Sequence, residues 1–96
     1  MQSSHAMGHF KTVNGQKYVI QLSKHWAHKA GTVIDADAGT IDFDGGFGLA
    51  FLVEPEVLLL KAHVATGGDL EHWKGVVENH LMRFAFREDA VLEWDS

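Results

Sequence analysis

The chain reads as an α+β domain: two layers, a mostly antiparallel sheet of five to six strands with two helices packed on one face, in the order β-α-β-β-β-β-α-β. Three observations lead there. Stretches 16–29 and 70–85 repeat their apolar residues at helical spacing. Between them, four strand-like runs are separated by turns too short to hold a crossover helix. One further strand-like segment precedes the first helical stretch and another follows the second.

Residues 6–12 form the first strand, and Asn14-Gly15 is a turn signal ahead of the first helix. From Gln16 to about Lys29, a 100° step puts Tyr18, Val19, Leu22, Ser23, Trp26 and Ala27 on one side, and Lys17, Gln21, Lys24, His25 and His28 on the other. The wet face of this helix is therefore basic, and its last-turn lysines suit the helix dipole. Four strands follow at 31–35, 40–44, 47–53 and 57–65, and in Ile41-Asp42-Phe43-Asp44 apolar and acidic residues alternate. Asp69, after Gly67-Gly68, is a natural N-cap for a helix to Ala85 with the stripe Leu70, Trp73, Val77, Leu81 and Phe84. His80 falls on the margin of that stripe, and residues 90–94 supply the last strand.

The 96 residues allow one modest core, so residues 1–96 are one domain, with 1–5 expected to fray. Without cysteine there is no disulfide scaffold and no thiol nucleophile. No apolar run approaches the ~20 residues of a spanning helix, and no secretory signal shows, so a cytoplasmic protein that does not enter membranes is expected. A net charge of −5 argues against a nucleic-acid binder. The charge is also unevenly laid out: residues 1–34 carry four lysines and no acid, and residues 35–60 carry six acids and no base.

Seven histidines stand out, above all in Lys24-His25-Trp26-Ala27-His28-Lys29. Histidines three apart on a helix are neighbours and can share a metal ion or an anion. A third metal ligand would be His80 from the second helix, giving the set His25, His28 and His80 for a divalent or ferric metal. Arg83 and Arg87, which follow His80, offer bidentate recognition of carboxylate or phosphate. The plainer readings are a hydrogen-bonded core histidine at position 80, arginines paired with Glu88 or Asp89, and core packing for Phe84 and Phe86. Asp35 to Gly39 is no calcium loop, because Thr40 and Gly46 stand where Gly and Glu are needed.

Tyr18 to Leu22 leading into the lysine–histidine segment, Gly39-Thr40-Ile41-Asp42-Phe43, His80-Leu81 with Arg83-Phe84-Ala85-Phe86-Arg87-Glu88, and Trp94 together resemble a small bacterial family, domain of unknown function 2218. The resemblance covers nearly the whole chain. Members occur alone or joined to siderophore-interacting proteins, which are ferric-siderophore reductases, so the resemblance implies a link to iron handling. The family pattern often has Cys where this chain has Ser23.

The expected function is thus a non-enzymatic binding or accessory module of iron or ferric-siderophore metabolism. Lys24, His25, His28, Lys29, His80, Arg83 and Arg87 would form its ligand site, and its partner would be a ferric siderophore or a siderophore-interacting reductase. Two other classes remain open: an enzyme using His25, His28 and His80 as metal ligands or as acid and base, and a dimerisation module that pairs by its free sheet face or an edge strand to give a homodimer.

Overall fold

A computed structural model of the chain describes residues 4–35, 37–65 and 67–95. Strands β2 (Ala30–Asp35), β3 (Ala38–Phe43), β4 (Gly48–Glu54) and β5 (Val57–Val64) form a meander, as their short turns require. Strand β1 (Ser4–Lys11) pairs outside β5, and the two-residue β6 (Glu93–Trp94) pairs outside β1. The six-stranded order is β2-β3-β4-β5-β1-β6, antiparallel throughout. Helix α1 (Gly15–Trp26) therefore carries the chain from β1 to the far edge at β2, and α2 (Leu70–Phe84) carries it from β5 to the opposite edge.

The register decides which face is buried. Phe10 pairs with Leu58, Leu60 with Phe51, Ala62 with Leu49, and Leu49 with Ile41, so all of these point to one side. All of them are buried with Tyr18, Val19, Leu22 and Trp26 of α1 and Trp73, Val77 and Leu81 of α2 in a single core. The opposite face, with Met7, Leu59, Leu52 and Val33, has no layer over it among the described residues.

Several boundaries depart from the sequence reading for physical reasons. Ser4 and His5 do not fray, because Val64 and His63 of β5 pair with them; residues 1–3 lie outside the described residues, as does Ala36 in the acidic turn. Helix α1 stops at Trp26 rather than Lys29, since the Ala27 and Lys29 amides close back on Lys24 and Trp26 carbonyls, three residues earlier, as the chain bends into β2. The Asp69 cap is present: its side chain accepts from the His72 amide at 3.0 Å.

Past α2, Glu88 is not an arginine partner. Its carboxylate accepts hydrogen bonds from Thr12 (2.7 Å), Asn14 (3.2 Å) and the Tyr18 hydroxyl, which ties the end of α2 to the β1–α1 junction. Arg87 instead lies over the ring of Phe86, 5.4 Å from its centroid. Phe86, expected in the core, is 68% exposed, because it lies in the turn after α2, beyond the helical spacing that carries the buried stripe. No helix among the described residues is long and apolar enough to cross a membrane.

Candidate functional site

An aromatic cleft lies where the β3–β4 turn meets the two helices. The turn runs through Gly45 and Gly46 at φ 106° and 79°, values that side chains resist. It folds Phe43 and Phe47 onto each other, with ring centroids 4.8 Å apart and planes 7° from parallel. Trp73 meets both edge-on, at 4.9 Å from Phe47 and 5.4 Å from Phe43. Its indole N–H donates to the Gly48 carbonyl at 2.7 Å, so the ring is locked to the start of β4. Trp26, at the end of α1, completes the wall at 5.5 Å from Phe43 and 5.8 Å from Trp73. The cleft has a volume of about 730 Å³, and Lys29, Asp69, His72 and His80 contribute its polar lining.

His80 sits 5.0 Å from Trp26, centroid to centroid. Its Nδ1 is 2.7 Å from the Val76 carbonyl, one helical turn back. A carbonyl only accepts, so Nδ1 carries a proton and donates it. His25, from α1, packs at 5.0 Å against the same ring and at 6.2 Å from Phe84. Packing against His80 and Phe84 desolvates the His25 ring, although the residue as a whole is exposed, and this holds its pKa below its ordinary value; the neighbouring charges of His80, Arg83, Lys29 and His28 push it the same way.

The two helices pack together, which brings His25 and His80 into contact as a composite site requires. The remaining residues do not all follow. Of the seven expected, only Lys29 and His80 line the cleft. Lys24 and His25 are exposed on the last turn of α1, and His28 is exposed in the turn beyond it. Arg83 is exposed on the last turn of α2, and Arg87 lies beyond its end. Among the described residues no group of three His, Asp or Glu side chains is placed to hold a metal ion. Helix α1 ends before His28, so the pair His25 and His80 lacks its third ligand.

The sequence reading assigned Trp26 and Trp73 to the apolar sides of the helices, and they are indeed nearly buried; what it missed is that their outer edges, with Phe43 and Phe47, form a cleft. The available signal was two phenylalanines flanking an Asp-Gly-Gly turn. The arrangement suits a ligand with an aromatic part: an apolar wall of ring edges, an imidazole and a lysine at the rim.

Comparison with known proteins gives two findings. The model of a family described as an uncharacterised protein conserved in bacteria, DUF2218, matches residues 7–95. The NMR structure of PA4090 from Pseudomonas aeruginosa is similar with a TM-score of 0.74 at 30% identity, over 95% of this chain and 94% of that one. No curated protein matches.

Proposed function

We infer that this chain, which belongs to the bacterial DUF2218 family, is a binding module whose cleft takes an anionic, aryl-bearing ligand. The ferric siderophore suggested by the family's association fits that description in its catecholate form. The observation that carries the reading is the four-ring cleft of Trp26, Phe43, Phe47 and Trp73. Aromatic rings offer stacking to aryl groups. Lys29 at the rim, with His28 and Arg83 close enough to act on the adjoining His25, gives an anion local attraction that the net charge of −5 denies it elsewhere. His80, held through Nδ1 to the Val76 carbonyl, adds a polar group to the cleft wall. In this reading the module works in the cytoplasm and holds its ligand for a siderophore-interacting reductase.

Tryptophan fluorescence tests it, with a gallium tris-catecholate complex as probe. Saturable quenching is expected, weakened at least tenfold in Phe47→Ala and in Lys24→Glu/Lys29→Glu, with circular dichroism unchanged. Quenching that is absent, or indifferent to Phe47→Ala, overturns the reading.

A further inference from the structure

Strand β2 ends the sheet on one side, and its backbone shows which groups face outward. The Phe43 amide donates to the Phe47 carbonyl and the Val53 amide to the Asp37 carbonyl, so odd-numbered residues along β3 aim their backbone groups at β4. By alternation, Ala38, Thr40 and Asp42 aim theirs at β2. Their register partners Asp35, Val33 and Gly31 face back, which leaves the N–H and C=O groups of Ala30, Thr32 and Ile34 directed at the open edge.

This edge lacks the usual protection. Its pairing with β3 is unbroken from Ala30 to Asp35, and the strand holds no Pro, no Lys and no bulge. Val33 is 63% and Ile34 44% exposed. At the other end of the sheet, β6 is only two residues long and offers little to pair with.

We propose that β2 is the self-association site of this protein, pairing antiparallel with β2 of a second copy across a two-fold axis through Thr32. Only that register pairs all three outward residues: Thr32 meets its own copy, and Ala30 meets the partner's Ile34 at both ends. Each Ile34 covers the other chain's Ala30, and Gly31 lies opposite Val33. Charge selects a second copy over an unrelated strand. The start of β2 is flanked by His28 and Lys29 and its end by Asp35 and Asp37, so the antiparallel two-fold sets each basic end against an acidic one. The division between a lysine-only segment 1–34 and an acid-only segment 35–60 falls within β2, and this gives the division a role.

Amide hydrogen exchange followed by NMR at two protein concentrations tests the pairing, alongside sedimentation equilibrium. Ala30, Thr32 and Ile34 are expected to exchange fast in dilute protein and to become protected as concentration rises. Gly31, Val33 and Asp35 are expected to stay protected throughout. Thr32→Pro, which removes an outward amide only, is expected to sediment as a monomer with its circular dichroism unchanged. Outward amides unprotected at millimolar concentration overturn the proposal, as does a dimer in which they stay unprotected. The exchange experiment needs no variant, so it decides even where Thr32→Pro fails to fold.

Discussion

The imidazoles of His25 and His80, borne by different helices, lie with ring centroids 5.0 Å apart and planes 55° from parallel. The contact joins the basic end of α1 to the aromatic cleft, because His80 also packs on Trp26. It also sets the charge of His80 beside the His25 ring. His25 has a lowered pKa from burial first and then from the charge of His80, so it takes up its proton below the ordinary value of 6.5. His80→Ala is expected to move the His25 midpoint upward, measured from histidine ring protons by NMR. A midpoint that does not move contradicts the coupling.

Glu88 and Tyr18 set the pH range of stability. Burial pushes the Glu88 pKa up, but hydrogen bonds from Tyr18, Thr12 and Asn14 and the charge of Lys17 outweigh it and hold the carboxyl below its ordinary 4.5. A depressed carboxyl stabilises the fold above that value, and the contribution goes as pH falls through the lowered one. Tyr18 acts at the other end. Burial, then the Glu88 hydrogen bond and charge, push its phenol up to about 12, so its contribution is whole below pH 10.0 and is lost as pH rises toward 12. Glu88→Gln is expected to cost about 1–3 kcal/mol at neutral pH. It should also flatten the acid limb of a stability–pH curve from urea unfolding. An unchanged acid limb contradicts the assignment.

Ser23 presents a buried hydroxyl with no hydrogen-bond partner among the described residues. It lies on the apolar side of α1, 6% exposed. A buried position of this kind suits a small apolar side chain and gives no access to a ligand. Ser23→Cys and Ser23→Ala are each expected to raise stability by about 1 kcal/mol. The readout is a higher urea midpoint at an unchanged m-value. A lower midpoint in both would show that the hydroxyl has a partner.

Most of the fold was legible because each element carries its own signal. The alternation around Ile41, the Asp-Gly-Gly and Glu-Pro-Glu turns, and the Asp69 cap all lie within a few residues of the structure they specify. Boundaries set by tertiary contacts were not: Ser4 and His5 are strand only because β5 lies beside them, and α1 ends at Trp26 where the chain must enter β2. The site was half legible for the same reason. Helical spacing put His80 at the edge of a buried face, and α1 brings His25 to it. The cleft depends on Phe43 and Phe47 meeting Trp73 across three elements, which no local spacing contains. Likewise the partners of Glu88 lie far back in the chain, in the β1–α1 junction and in α1.

The most direct measurement is a heteronuclear NMR titration of the protein with a gallium tris-catecholate complex, following the indole N–H signals of Trp26 and Trp73 and the ring protons of His80. Saturable shifts concentrated on those three residues, with Trp94 and the open sheet face around Met7 and Leu59 unmoved, are the expected result. Shifts spread over the open face, or no saturable response, would contradict a ligand site in the aromatic cleft.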